Sequence, residues 1–315
     1  MNYPVFDLHC DTALALLGEN MRQCGSLLKN NGHIDLVRAG SLAGYAQCFA
    51  CFTTPLYDEK ISAVELFERE LATVMREIDK NQDRICLAYT AGDIERNQKA
   101  GKASAVLTIE GPAGFGFDPS LLADLYQVGF RMTTLGWNEK NVLAGSHATG
   151  GELTPLGREY VNEAQRLGMI VDVSHISDEA FWDIIDIAKA PVIASHSNSR
   201  SIFNHSRNIT DDMFRAICQS GGVVGMNLYA DFIGDDPGLD TLCRHICHFL
   251  ELDPTGKHIA LGGDLDGCDT LCSEINSIQD YPKLSDKLLS LGISDSIVRN
   301  IFWNNALEVF RSCCI

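Results

Sequence analysis

The stretch Tyr3-Pro-Val-Phe-Asp-Leu-His-Cys-Asp11 opens the chain with the alternating pattern of a β-strand and ends in two polar side chains. Successive side chains of a strand point to opposite faces, so His9 and Asp11 are predicted to share one face and Cys10 to pack on the other. An imidazole and a carboxylate at this spacing can both reach one metal ion. An isolated His-x-Asp is more often a satisfied strand end, so this interpretation depends on the later strands.

Short apolar segments alternate with helical segments along the whole chain. Alternating strands and helices indicate a parallel sheet, and eight such units predict a (β/α)8 barrel of the TIM type. We interpret residues 1–315 as a single barrel domain that carries the catalytic site. The predicted strands cover residues 3–11, 42–52, 105–109, 130–135, 168–174, 191–195, 222–227 and 258–263. The longer predicted helices cover residues 59–78, 121–128, 155–167, 177–188, 238–250 and 294–310.

Composition excludes several classes of partner. With 25 Lys and Arg against 42 Asp and Glu, the net charge of -17 repels nucleic acid and anionic membranes. No apolar run approaches the roughly 20 residues needed to span a bilayer, and no signal peptide is predicted, so we expect a cytoplasmic protein. The 12 cysteines are expected to be mainly free, buried thiols, because their spacings do not repeat as paired zinc knuckles.

Polar residues stand at the ends of five of the predicted strands. In TIM-type barrels the active site lies at the carboxyl ends of the strands, so these side chains are expected to converge. Each one alone could cap a strand or solvate a turn, but six such coincidences at one end of a barrel are improbable. The residues are His9, Asp11, Glu110, His175, His196 and Asp264.

This donor set suits two divalent ions. Neutral imidazole and carboxylate are zinc ligands, and one carboxylate can bridge two ions. Glu110, from a middle strand, is the natural bridge; His9 and Asp11 would hold one zinc ion, and His175 and His196 the other. A water shared by the two ions would be acidified to hydroxide near neutral pH.

Other polar residues have predicted roles in proton transfer and substrate binding. Asp264 is the best remaining candidate to move a proton to the leaving group. Arg207, on the loop after the sixth strand, could bind a substrate carboxylate or lie on the surface. Tyr229, just past the seventh strand, is a candidate substrate contact. His147 lies in a Gly-rich loop and could face either the site or solvent.

Six segments follow one another along the chain: Asp7-Leu-His-Cys-Asp11, Ile109-Glu-Gly111, Asp172-Val-Ser-His-Ile-Ser177, Val192-Ile-Ala-Ser-His-Ser197, Ser206-Arg-Asn208 and Gly262-Gly-Asp-Leu-Asp-Gly267. Together they resemble the membrane (renal) dipeptidase family, whose members are metallopeptidases on an amidohydrolase-like barrel. The resemblance implies hydrolysis of dipeptides with two zinc ions per subunit, Glu110 as the bridge and Arg207 on the C-terminal carboxylate. It also implies acceptance of a D-residue at the C-terminal position, and a homodimer.

The resemblance has one departure. Mammalian members carry a histidine after the fourth strand that reaches the substrate, where this chain has Trp137 in Leu135-Gly-Trp-Asn138. The Trp-Asn pair is similar to the bacterial branch, so no catalytic histidine is expected from that loop. This difference also bears on which dipeptides fit.

Two alternatives remain open at the level of sequence. One is another metal hydrolase on the same scaffold, such as a deacetylase or lactonase, which would not need Arg207 for a free carboxylate. A nuclease on this scaffold should carry a basic rim, which this acidic chain lacks. The other alternative is a non-catalytic metal-binding scaffold, which would keep its function after Asp264→Asn.

Overall fold

Parallel β-strands form the centre of the molecule, as shown by a computed structural model that describes residues 3–18, 25–55 and 61–314. In chain order the strands β1 to β9 are Val5–Cys10, Tyr45–Phe52, Ile85–Leu87, Ala103–Glu110, Phe130–Thr134, Ile170–Asp172, Val192–Ile193, Val224–Met226 and Ile259–Leu261. Eight of them follow the order β7-β6-β5-β4-β2-β1-β9-β8, with β3 beside β4.

The two ends of this path meet and close the barrel. The backbone nitrogen of Ala194, just after β7, donates to the oxygen of Val223, and Gly225 N donates back to Ala194 O at 2.8 Å. This pairing joins β7 to β8 and leaves neither strand as a free edge at that point. The predicted (β/α)8 barrel is therefore confirmed.

The strand β3 is an addition to the eight predicted strands. Ile85 and Leu87 pair with Ala103 and Ala105 at the start of β4, whereas β5 pairs with β4 only from Leu107 onward. Two short strands thus share one edge of β4. β3 was not predicted because three residues are too few to display a period of two.

Helices surround the barrel and mostly follow the predicted positions. The helix at Pro155–Leu167 has the predicted bounds, while residues 59 and 60 of the helix predicted over 59–78 lie outside the described residues. The predicted closing helix is interrupted by a π-helical turn at Asn300–Asn304. In chain order α1 to α13 are Thr12–Ala15, Leu36–Ala39, Ala63–Lys80, Ala91–Lys99, Leu122–Val128, Pro155–Leu167, Asp178–Ile187, Asp211–Ser220, Ala230–Ile233, Leu239–Leu252, Tyr281–Ser290, Asp295–Arg299 and Asn305–Cys313.

The barrel interior is filled below its mouth by one apolar cluster, to which seven strands contribute. Its members from the strands are Phe6, Leu8, Ala46, Cys48, Val106, Met132, Ile170, Ile193 and Ala260. The last helix, α13, supplies Phe310 to the same cluster, and the Phe6 and Phe310 rings lie 5.2 Å apart. The helix α13 therefore covers the end of the barrel opposite its mouth.

We expect Phe310→Ala to lower the free energy of unfolding by about 3–5 kcal/mol, because it leaves a cavity at a fully buried position of this apolar cluster. Urea titration followed by circular dichroism measures the change. Leu291→Ala is the matched control, since Leu291 is 52% exposed and should change the free energy by less than about 0.5 kcal/mol. Equal effects of the two substitutions would contradict the assigned role of α13.

Within the described ranges, we find no helix that combines the length and the apolar composition needed to cross a bilayer.

Candidate metal centre

A bulge in β1 separates the face of His9 from the face of Asp7. Val5 pairs with Tyr45 and Cys10 with Phe49, so β1 contains one residue more than β2 between these pairs. The irregularity lies between Asp7 and Cys10. Bulges next to active sites re-aim side chains, and this one directs His9 into the barrel mouth.

Asp7 points to the opposite side of the strand, toward the helical layer. Its carboxylate accepts hydrogen bonds from the backbone nitrogens of His9, at 2.9 Å, and Gly263, at 3.0 Å. It also accepts from the hydroxyl of Tyr281 in α11. Asp7 thus fixes the backbone within the bulge and joins β1 to the segment that follows β9.

Glu110 lies between histidines from three other strands at the mouth. Its Oε2 is 3.2 Å from His9 Nε2, and its Oε1 is 3.0 Å from His175 Nε2 and 3.8 Å from His196 Nε2. All four side chains are buried. The structure therefore brings the predicted bridging carboxylate next to both predicted groups of ligands.

Two further carboxylates complete the cluster. Asp11 Oδ2 lies 3.4 Å and Asp264 Oδ1 lies 3.9 Å from His9 Nε2. Asn227 donates to the other oxygen of Asp264 at 3.1 Å. The rings of His9 and His196 stack with centroids 3.8 Å apart. All six predicted residues thus meet at one place, which we call the metal centre.

The backbone is strained where it delivers two of these side chains. His175 and Asp264 have φ angles of 70° and 55°, in the left-handed region that residues other than glycine rarely adopt. Each residue lies three positions after the end of a strand, His175 after β6 and Asp264 after β9. Such strain persists where the surrounding structure enforces it, and it gathers at functional sites.

Hydrogen bonds fix the tautomers of two imidazoles. Asn138 Oδ1 lies 2.8 Å from His175 Nδ1, so that nitrogen carries the proton and Nε2 keeps its lone pair. Ser195 Oγ donates to Asp172 Oδ2 and therefore accepts from Nδ1 of His196 at 2.6 Å. Both Nε2 atoms are thereby prepared to bind a metal, in the manner of outer partners that orient metal ligands.

No role was predicted from the sequence for the supporting residues Asn138, Asp172 and Ser195. Asp172 and Ser195 stood in the segments that carried the family resemblance, directly before or near the predicted ligands. Their position as polar residues at the ends of buried strands was the sequence signal that could have indicated a role for them. Asn138 is 37 residues from His175 along the chain, so no local pattern indicated their contact.

The pKa values show how strongly these groups interact. Burial and the Glu110 carboxylate raise the pKa of Asp11 to about 8. Burial acts to raise the pKa of Glu110 as well, but His9 and His175 hold it well below its usual value. Burial and the guanidinium of Arg207 lower the pKa of His175 to about 4. His175 is therefore a neutral imidazole at physiological pH, the form that binds metals.

These residues fit a divalent cation. His9 Nε2 is buried and has no hydrogen-bond partner among the described residues, although it faces oxygens of Asp11, Glu110 and Asp264. Burial and the neighbouring Glu110 carboxylate raise the pKa values of Asp11 and Asp264, so ionising all three carboxyl groups without a cation is costly. Neutral imidazole with carboxylate is a donor set that zinc accepts.

A cavity of about 310 Å³ opens above the metal centre. Its walls combine apolar and aromatic side chains with the polar groups of the centre, as in sites for small molecules. Trp137 and the half-buried Tyr229 line it, which places the predicted substrate contact Tyr229 at the site. His147 lies behind His175, where it contacts Asn138 Oδ1 at 2.8 Å, and does not line this cavity.

Arg207 is buried beside the metal centre and is not a surface arginine. Its Nη2 lies 3.0 Å from His175 Nε2 and 3.4 Å from the backbone oxygen of His196. Its Nε has no hydrogen-bond partner among the described residues, and its side chain lies 5.3 Å from the centre of the Phe232 ring. A buried guanidinium with unused donors can bind an anionic ligand group.

We expect Ser195→Ala to weaken metal binding about 10- to 100-fold, because His196 loses the group that orients its ring. Dialysis against a series of chelators of increasing strength, followed by elemental analysis of the protein, measures the affinity for the metal. Ser312→Ala is the control, since Ser312 is exposed at the far end of the barrel. Unchanged metal retention in Ser195→Ala would show that Asp172 and Ser195 serve the fold alone.

The comparisons with known proteins agree on one family. A family model described as membrane dipeptidase (peptidase family M19) matches residues 1–313. An uncharacterized dipeptidase of Schizosaccharomyces pombe is 36% identical over 216 residues, covering 66% of this chain and 53% of that protein. An uncharacterized protein from the pqqA 5′ region of Klebsiella pneumoniae is 33% identical over 264 residues, covering 79% and 96%. The matched part of the chain thus spans about half the length of the fission-yeast relative.

Solved structures show the same fold. A metallo peptidase from Rhodobacter sphaeroides, crystallised with a phosphinate mimic of the dipeptide L-Ala-D-Ala, superposes with a TM-score of 0.90. The superposition covers 99% of this chain and 100% of that chain at 23% sequence identity. The barrel architecture is thus shared along its whole length.

Proposed function

The chain belongs to the membrane dipeptidase family, peptidase family M19, and we propose that it is a metal-dependent dipeptidase whose reaction takes place at the metal centre. The observation that carries the proposal is the position of Glu110, whose carboxylate lies within 3.0 to 3.8 Å of three imidazole nitrogens beneath an open cavity. A cavity of this size accommodates a small ligand and not an extended chain.

We further propose that the centre holds two zinc ions. Glu110 would bridge them, His9 and Asp11 would bind one, and His175 and His196 the other. The short distance from His9 to Glu110 and the orphaned Nε2 of His9 support this assignment. When bound, the ions would polarise the peptide carbonyl and acidify a water molecule.

The chain's own residues would bind the substrate and move the proton. Arg207 is proposed to hold the C-terminal carboxylate of the dipeptide, which brings a negative charge to a guanidinium with an unpaired Nε. Asp264 is proposed to take a proton from the attacking water and deliver it to the leaving amine. Burial raises the pKa of Asp264, which favours a carboxyl that can carry a proton, and Asn227 holds it in position.

We propose that the enzyme accepts a D-residue at the C-terminal position of the dipeptide. The Rhodobacter sphaeroides structure of the same fold was crystallised with a mimic of L-Ala-D-Ala. In this chain, Arg207 would fix the carboxylate and leave the side chain of that residue to face the cavity near Tyr229. Recognition through the carboxylate is independent of the configuration of the neighbouring carbon.

A dipeptide screen tests the proposal. The purified protein, loaded with Zn²⁺, is incubated with L-X-L-Y and L-X-D-Y dipeptides, and free amino acids are measured by chromatography. We expect release from both series, loss of activity after chelation and its return with Zn²⁺. Asp264→Asn should lower kcat by about 10²- to 10⁴-fold. If no dipeptide of either series is hydrolysed by the metal-loaded protein, the proposal is wrong.

The cytoplasmic location and the homodimer stay predictions. Light scattering on the purified protein gives its mass in solution, which for one chain is 34.5 kDa. Cell fractionation with antibody detection gives the location.

A further inference from the structure

A second group of metal-ligand side chains lies at the end of the barrel opposite the metal centre. Cys218 lies near the end of α8, Asp253 follows α10 and His258 immediately precedes β9. Each position leads into the amino-terminal end of a strand, whereas the metal centre lies at the carboxyl ends. One donor atom from each of the three side chains lies within 4.8 Å of the other two.

His258 is held in the tautomer that a metal ligand needs. Its Nδ1 lies 2.7 Å from the backbone oxygen of Gly222, which can only accept, so Nδ1 carries the proton. The lone pair of the neutral ring is then on Nε2. A histidine whose other nitrogen donates to a backbone carbonyl is the usual arrangement at metal sites.

Asp253 is held in place by the loop that follows it. Its Oδ1 accepts from the backbone nitrogen and the hydroxyl of Thr255, at 3.1 and 2.6 Å, and its Oδ2 accepts from Lys257 N at 3.1 Å. Each carboxylate oxygen has two lone pairs, so one remains for a cation. The carboxylate is therefore positioned before any ion binds.

Cys218 supplies the third donor. It is a free cysteine and is half-buried, as are Asp253 and His258, so an ion from solvent can reach the group. Modest movements of half-buried side chains would bring sulfur, nitrogen and oxygen to the distances of about 2.0–2.3 Å that zinc requires. Asp253 and His258 lie in one connection, five residues apart, whereas Cys218 precedes Asp253 by 35 residues. The group contains a single cysteine, so no paired-cysteine spacing indicates it.

We propose that Cys218, Asp253 and His258 form a second metal site, independent of the metal centre, that takes one Zn²⁺ or Co²⁺ ion with water in the fourth position. Thiolate, imidazole and carboxylate together select a borderline ion of this kind over Mg²⁺ or Ca²⁺. The ion would tie the ends of α8 and α10 to the start of β9. This site does not depend on the proposed dipeptidase activity.

Cobalt provides a direct test, because a thiolate ligand gives Co²⁺ an intense near-ultraviolet charge-transfer absorption. None of the six residues of the metal centre offers sulfur, so this absorption cannot come from a Co²⁺ ion bound by those six residues. The metal-free full-length protein is titrated with Co²⁺ while absorbance and bound metal are measured. We expect the absorption band in the unmodified protein. Cys218→Ser and His258→Ala should each lose the band and bind one equivalent of Co²⁺ less.

Two control variants separate this site from other sources of the signal. Cys247→Ser removes another half-buried thiol, on α10, and should keep the band and the stoichiometry. Glu110→Gln alters the metal centre and should keep the band even if it binds less Co²⁺. A band that is absent from the unmodified protein, or that survives Cys218→Ser, overturns the proposal.

Alkylation of the unmodified protein provides a second test that no folding defect can confound. Iodoacetamide labelling with and without Zn²⁺, mapped by mass spectrometry, gives the reactivity of each thiol in one sample. Zn²⁺ should protect Cys218 and leave Cys247 unchanged, since a metal-bound sulfur no longer reacts as a free nucleophile. Equal labelling of Cys218 in both conditions would also overturn the proposal.

Discussion

Replacing Glu110 with glutamine is expected to abolish dipeptide hydrolysis, lowering kcat/KM by at least about 10³-fold. The carboxylate faces the Nε2 atoms of His9, His175 and His196, and a neutral amide removes the charge that they share. The variant should also retain less zinc. Steady-state kinetics and elemental analysis measure the two effects on the same preparation.

Glu70→Gln is the matched control for this substitution. Glu70 is also fully buried, but it lies on α3 and accepts a hydrogen bond from the backbone nitrogen of Phe52 at 2.6 Å. The amide oxygen of glutamine can accept the same bond, so activity and metal content should stay close to those of the unmodified protein. If Glu110→Gln were as active as Glu70→Gln, the metal centre would not be the site of the reaction.

Replacing Arg207 with alanine is expected to raise KM and to remove the preference for a free C-terminal carboxylate. Loss of one partner from a buried charge pair costs about 2–5 kcal/mol, which corresponds to roughly 30- to 5000-fold in kcat/KM. The comparison uses one dipeptide and its C-terminal amide. The unmodified protein should prefer the acid strongly, and Arg207→Ala should treat the two substrates nearly alike.

The amide comparison distinguishes binding from positioning. Arg207 also contacts His175, at 3.0 Å, so its removal could disturb the metal centre without any contact to substrate. In that case the acid and the amide would lose activity equally, which would contradict the proposed role. Arg215→Ala, which removes a half-exposed arginine on α8, should leave both substrates unaffected.

Much of the fold could be predicted from the sequence, because two simple patterns persist along the chain. Short apolar runs alternate with amphipathic helical segments, and this order alone indicates a parallel barrel. Polar residues at the ends of buried strands then indicate where a site must form. The barrel and the family resemblance are confirmed, and the structure places His9, Glu110 and His196 beside one another.

What could not be predicted depends on contacts between distant parts of the chain. The bulge in β1 is defined by its register against β2, which no reading of β1 alone contains. The contact of Asn138 with His175 depends on how a long loop folds over the barrel mouth. Cys218, near the end of α8, likewise meets Asp253 and His258, which share the connection from α10 to β9, only in the folded molecule.

The contacts of Asp7 at the bulge link the metal centre to the outer layer of helices. Asp7 binds the backbone nitrogen of His9 on one side and the hydroxyl of Tyr281, in the outer layer of helices, on the other. The Asp7 carboxylate therefore connects α11 to the backbone of His9, the first imidazole of the mouth. We therefore expect substitutions around α11 to affect the metal centre, although α11 lies in the outer layer of helices.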